Sequence, residues 1–262
     1  MPTQIITSES NEKLKLFKSL LTSKGIKEHK KFIVSGEKLI REYFGQNLMR
    51  FKTSFLIFDT DQWPSYLDEN QKYQDLQKIV IPLAIFKELD VVGTHSPLLV
   101  LEYKEFEIKN FQVPAIDLEL ICPLGDPRNL GSLVRSSVGL GVHEIILTKE
   151  AAHPYLPLSV KASAGAILFA NFKKTDFSIN EIPVSGENYA LDLVGKDLAT
   201  VKWPQNLRLW VGEEGPGLNL NPSQVQNIQK ISIPIHRVES LNAMVSTTLA
   251  IWEWKKANTS SR

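Results

Sequence analysis

For most of its length this sequence predicts an α/β fold, a parallel sheet with helices on both faces. The first supporting observation is pattern. After residue 117, apolar runs too continuous for half-buried strands, such as LELICPL (118–124) and LRLWVG (207–212), alternate with helix-period segments. The second is composition. With 43% hydrophobic and 23% charged side chains, 262 residues suit a globular chain of two modest domains, too apolar for disorder. Fourteen Gly and fourteen Pro are too few for a fibrous chain. No apolar run approaches the roughly 18 residues of a membrane span, and MPTQIITSESNEKLK at the N-terminus has no apolar signal core. The expected location is therefore the cytoplasm.

The first element is the stretch NEKLKLFKSLLTSKGIKEHKK (11–31), where Leu14, Phe17, Leu20 and Leu21 recur at helical spacing and the lysines fall on other faces. FIVSGEKLIREYF (32–44) reads as a strand passing into a helix, TSFLIFD (53–59) as a strand, KIVIPLAIFKEL (78–89) as strand then helix, and PLLVLEY (97–103) as a strand. The segment 104–117 breaks this pattern with charges and Pro114, so a boundary between domains 1–108 and 112–262 is expected there. Beyond it, strands are expected at 118–124, 144–148, 189–194, 207–212 and 230–235. Helices are expected at NLGSLVRSSVGLG (129–141) and SLNAMVSTTLAIWEWKKA (240–257). In such sheets ligands bind beyond the carboxyl ends of the strands.

The 30 basic and 29 acidic side chains nearly cancel, but not locally. Residues 1–31 hold seven lysines against three glutamates, residues 32–110 nine basic against twelve acidic groups, and the remainder fourteen of each. A lysine-rich amphipathic helix is ordinarily a solvated surface, and otherwise a phosphate-contacting arm. The single cysteine, Cys122, lies in LELIC, where a buried thiol is the ordinary reading. His153 and His236 are isolated, so no metal site is expected.

Three segments at predicted strand ends are candidates for chemistry. In GDPRNLGSLVRSS (125–137), Asn129 is a fit N-cap, Gly139 and Gly141 can end the helix, and Arg135 either grips a phosphate or carboxylate or snorkels to solvent. In VGEEGPGL (211–218), three glycines allow close backbone approach, while Glu213 and Glu214 disfavour a polyphosphate and suit a polar or cationic ligand. In IPIHRVESLNAMVSTTLAIWEW (233–254), Ser240 reads equally as an N-cap or as a site residue. Leu241, Met244, Val245, Leu249 and Trp252 form a stripe that belongs to a core or a subunit interface.

In this order and spacing the three segments resemble the three motifs of the SpoU/TrmH family of RNA methyltransferases, within the SPOUT class. KASAGA (161–166) resembles an intermediate segment of that family. The likeness covers about residues 112–257, and SESNEKLKLFKSL with FIVSGEKLIREYF more loosely resembles a small α/β RNA-binding domain that precedes it. The resemblance implies S-adenosylmethionine as methyl donor, a ribose 2′-hydroxyl of rRNA or tRNA as acceptor, a C-terminal trefoil knot and a homodimer. It assigns Arg135, Asn129, Glu214, Ser240 and Asn242 to catalysis, Arg135 at the target nucleotide, and Gly212, Ile233 and Leu241 to the cofactor. Two departures stand out. The loop Ile235–Glu239 is one residue shorter than the family's and lacks its glycine, and Ser136-Ser137 follow the arginine where a small apolar residue is common. The shortened loop keeps open an alternative, an RNA-binding protein of this fold with weakened or lost methyl transfer.

Overall fold

The computed structural model describes residues 3–46, 50–59, 76–212 and 217–259. The chain forms two compact units that do not follow chain order. The first is Met1–Glu105 with His153–Leu168, and the second is Phe106–Ala152 with Phe169–Arg262. The N-terminal unit thus also takes in 153–168, from beyond the boundary expected at 104–117.

In the first unit a five-stranded sheet runs in the order β1 (Gln4–Ile5), β4 (Gln77–Val80), β3 (Lys52–Phe58), β5 (Leu98–Glu102), β2 (Lys31–Ser35). β4 is parallel to β1 and β3, whereas β5 is antiparallel to β3 and β2. The single N-terminal helix expected over 11–31 is instead two, Glu12–Ser19 and Ser23–His29. Asn11 and Thr22 cap them through side-chain acceptors, so Thr22 starts a new helix where periodicity alone suggested continuation. Leu14, Phe17 and Leu20 are fully buried in the core, as the spacing requires.

The exchanged segment brings Tyr155 onto Phe32, stacked at 4.1 Å between ring centres. His153 Nδ1 accepts from the Tyr155 backbone N–H at 3.2 Å, and His153 Nε2 lies 3.0 Å from the Tyr103 hydroxyl. Burial pushes the His153 pKa down to about 3, with Lys27 also disfavouring the charged form. Gly165, at φ +88°, closes this packing, because a Cβ there would lie 2.7 Å from Leu39 Cδ2.

The second unit carries the predicted parallel sheet. Its order is β12 (Gln229–Ser232), β10 (Asn188–Asp197), β11 (Leu207–Trp210), β7 (Leu118–Cys122), β8 (Glu144–Leu147), β9 (Phe172–Lys174), β6 (Glu107–Ile108), every neighbouring pair parallel. β7, β8 and β11 are buried throughout, which is why, apart from Glu119, Glu144 and Arg208 near their amino ends, they read as apolar runs. Cys122 is buried among them.

The amino ends of these strands hold a charge network that the apolar pattern concealed. Arg208, 1% exposed, donates to Glu119 at 3.0 Å and to the carbonyls of Val113 and Ser185 at 2.6 and 3.1 Å. Lys109 bridges Glu119 and Glu144 at 2.6 Å each. Four opposite charges thus satisfy one another where β7, β8 and β11 begin, leaving the carboxyl ends of the strands for a ligand.

Candidate functional site

At those carboxyl ends opens a cleft of about 850 Å³, within the range of small-molecule sites. Three loops build it. The first follows the regular part of β10, where Leu191 and Lys196 both register against Ile231, so residues 192–195 loop out of the ladder. Gly195 is required there, since a Cβ would lie 2.7 Å from the Ile231 backbone nitrogen. The second loop follows β11 and supplies Gly212, Gly217 and Leu218; the third runs from β12 through Ile233 to the helix Ala243–Thr259.

Of the residues that the sequence marks, Gly212, Ile233, Ser240, Leu241 and Asn242 all line this one cleft. A Cβ on Gly212 would lie in ordinary contact with Gly217 and Leu218 at 3.8 Å, so the two glycines bring bare backbone side by side to the lining of the cleft. Ser240 is exposed, and it is not the N-cap. Asn242 has that role. Its Oδ1 accepts from the backbone N–H groups of Met244 and Val245 at 2.9 and 3.3 Å, and its carbonyl accepts from Ser246 N–H. In the shortened loop Arg237 adopts φ +62°, a left-handed conformation that costs an arginine roughly 1 kcal/mol or more. Glu214 lies outside the described residues.

Asn129 and Arg135 do not line the cleft; they lie on the helix Pro127–Leu140 that follows β7. Its N-cap is Asp126 and not Asn129: the Asp126 carboxylate accepts from Arg128 N–H at 2.6 Å and Asn129 N–H at 3.2 Å, with Pro127 in the first turn. Gly141 ends it at φ +84°. Leu130, Leu133, Val134 and Ser137 are buried, and the helix packs against Ala243–Thr259. Arg135 is exposed and makes no hydrogen bond or ion pair among the described residues. Its guanidinium is thus presented outward from the same helix pair that carries the third loop.

Sequence reasoning missed the cleft's charged groups other than Glu239. Asp192 and Lys230 line it and pair at 2.8 Å, while Glu239 is exposed with no partner among the described residues. The signal for the pair was the polar intrusion in YALDLVGKD, a polar residue inside an otherwise apolar strand. Among the described residues no group of three or more His, Cys, Asp or Glu could hold a metal, and no helix is long and apolar enough to cross a membrane.

The expected N-terminal arm is more occupied than its charge suggests. Lys13 donates to Gln4 at 2.6 Å, Lys15 pairs with Glu12 and Lys18 with Glu88, both at 2.8 Å. Lys24 and Lys27 are exposed without a salt bridge among the described residues.

Residues 120–252 match the model of the SpoU rRNA Methylase family. A protein of Syntrophobacter fumaroxidans named ribosomal RNA small subunit methyltransferase G 2 is 30% identical over 98% of this chain and 50% of its own length. The chain spans about half the length of the first curated relatives it matches. Among solved structures, the SpoU methyltransferase AviRb of Streptomyces viridochromogenes, in complex with AdoMet, shares the fold with a TM-score of 0.78 at 20% identity, covering 96% of this chain and all of that one. A structure described as an RNA 2′-O ribose methyltransferase superposes with a TM-score of 0.73 at 18% identity, covering 98% of this chain and all of the other.

Proposed function

The chain belongs to the SpoU rRNA Methylase family, and from that premise we propose that it transfers a methyl group from S-adenosylmethionine to a ribose 2′-hydroxyl of rRNA or tRNA. The observation that carries this reading is the convergence of Gly212, Ile233, Ser240, Leu241 and Asn242 on one cleft beyond the strand ends. Its residues fit the cofactor. Leu191, Leu218, Ile233 and Leu241 offer apolar walls to a purine, and Gly212 and Gly217 bring bare backbone to the lining. Asp192, Glu239 and Lys230 give the lining a net negative charge, complementary to a ligand of net positive charge.

When bound, S-adenosylmethionine supplies a methyl group already activated on a positively charged sulfur. What the protein must add is alignment and a more reactive hydroxyl. Backbone groups of Gly212, Ile233 and Leu241 are assigned to holding the cofactor. Asn242 fixes the third loop by capping its helix, and Ser240 stands exposed at the cleft wall as a hydrogen-bonding group. Arg135, exposed and unpaired among the described residues, is assigned to the target nucleotide, where a guanidinium binds phosphate and stabilises negative charge growing on the 2′ oxygen. Asn129, on the same helix, and Glu214 keep the roles that their motif positions imply.

The name of the Syntrophobacter relative makes small-subunit rRNA the first substrate to test. Recognition of RNA is assigned to the N-terminal unit, a homodimer to the exposed face of Val245, Leu249 and Trp252, and the cytoplasm to the location. The C-terminal trefoil knot belongs to the same proposal. Transfer of labelled methyl groups from S-adenosylmethionine to small-subunit rRNA or to tRNA tests it: wild-type protein labels one of them and Arg135→Ala falls at least a hundredfold. Undiminished labelling by Arg135→Ala removes the arginine from its role. The strained Arg237 favours a second reading, RNA binding with weakened turnover, which calorimetry would support by showing tight RNA binding without cofactor binding.

A further inference from the structure

We infer that Asp192, oriented by Lys230, recognises the ribose cis-diol of the adenosine that the cleft accepts. The inference rests on the cofactor reading above and adds to it a residue outside the three motifs.

Asp192 opens the 192–195 loop, where four residues of β10 leave the ladder between two registrations on Ile231. Its two oxygens are separately engaged. Oδ1 accepts the backbone N–H of Val194 at 3.0 Å, and Oδ2 accepts Lys230 Nζ at 2.8 Å. The Asp192 and Lys230 side chains remain 35% and 39% exposed, and both line the cleft. Partial burial opposes ionisation, but Lys230 and the backbone donors outweigh it and hold the carboxyl below its usual range.

A carboxylate offers about four lone-pair positions. Val194 N–H takes one on Oδ1 and Lys230 one on Oδ2, with a weaker backbone contribution from Leu193, so the carboxylate keeps acceptor capacity on both oxygens for two adjacent donors. The neighbouring charges select what those donors are. A ligand ammonium at Asp192 would lie beside the Lys230 ammonium, and a ligand carboxylate at Lys230 would lie beside Asp192, so either charged end meets a like charge. A neutral pair of hydroxyls on adjacent carbons meets none. Glu239, exposed and without a partner among the described residues, is the group of this lining better suited to a cation.

The position of the pair is itself enforced. Gly195 allows the loop to lie on the Ile231 backbone, next to Lys230, so the turn that displaces Asp192 from the ladder also brings it to its lysine.

The test is calorimetric titration of the full chain with S-adenosylhomocysteine and with its 2′-deoxy counterpart. A hydrogen bond to a charged acceptor predicts that wild type binds the deoxy compound about ten- to a hundredfold more weakly. Asp192→Asn is expected to bind S-adenosylhomocysteine about tenfold more weakly than wild type, with the deoxy compound little changed, so that discrimination collapses. Equal affinity of wild type for the two ligands overturns the proposal, and this arm needs no variant to fold. Discrimination kept at the wild-type level in Asp192→Asn also overturns it. So does an equal loss for both ligands, which would make the ion pair a structural tie between β10 and β12. In all three results wild type still binds S-adenosylhomocysteine and the cofactor reading stands. Binding of neither ligand by wild type defeats that reading and the diol assignment with it.

Discussion

Replacing Arg208 with Met tests the frame that holds the cleft. Arg208 is 1% exposed and lies in β11, whose far end delivers Gly212. Truncation removes its donors to Glu119, Val113 O, and Ser185 O and Oγ at 3.0, 2.6, 3.1 and 3.2 Å. Breaking a buried pair by removing one partner costs about 3–5 kcal/mol. Here Glu119 keeps Lys109 at 2.6 Å and the Ile116 N–H at 3.2 Å, which places the expected loss at the lower end, about 3 kcal/mol. That is a large part of the roughly 5–15 kcal/mol by which a domain is stable. Urea unfolding followed by tryptophan fluorescence suits the measurement, because four of the five tryptophans, 203, 210, 252 and 254, belong to the second unit. Adding Glu119→Leu should recover at least about 1 kcal/mol relative to the sum of the two single losses, since an apolar pair avoids the stranded charge. A loss below about 1 kcal/mol, or strict additivity, would refute the view that these charges depend on one another.

Three further outcomes follow from the same geometry. Because the His153 pKa is lowered to about 3, the unfolded chain binds a proton between that value and about 6.5 that the folded chain does not. Stability is then complete above about pH 6.5 and falls with acidity, by about 2 kcal/mol between pH 7 and 5. Thermal melts across that range should show the slope, and His153→Gln should flatten it. Gly195→Ala forces a Cβ to 2.7 Å from the Ile231 nitrogen and should cost about 1–3 kcal/mol while weakening cofactor binding; unchanged affinity would free the loop from this constraint. Val245, Leu249 and Trp252 are 50%, 38% and 49% exposed along one face of their helix, so Leu249→Glu with Trp252→Glu should turn a dimer into a monomer in light scattering, and a monomeric wild type would contradict the assignment.

The sequence showed the strands of the second unit best where burial was complete. β7, β8 and β11 are apolar because both faces are covered, whereas β6 and β9, with Glu107, Lys173 and Lys174, carry too much charge and too few residues to register. Caps were read with mixed success for a local reason. Asp126 followed by Pro127 is the stronger helix start, while Asn129, three residues on, reads as a fit cap because the apolar stripe begins beside it. At the other helix the order is reversed: the cap is Asn242, two residues after Ser240, which reads from sequence equally as a cap or a site residue. The exchange of 153–168 into the first unit was not legible, since Tyr155 on Phe32 joins residues more than 120 positions apart and leaves no periodic trace. Five of the residues that the motifs mark line one cleft, while Asp192 and Lys230 stayed hidden because their pairing depends on the 192–195 loop within β10.

The central claim, methylation of a ribose 2′-oxygen in RNA, is tested most directly by mapping 2′-O-methyl positions as sites resistant to alkaline cleavage. Small-subunit rRNA and tRNA would be incubated with S-adenosylmethionine, with and without the protein. The account predicts a new protected site that appears only with both protein and cofactor, and that is lost with Arg135→Ala. RNA that is bound by the protein but gains no protected site would contradict it.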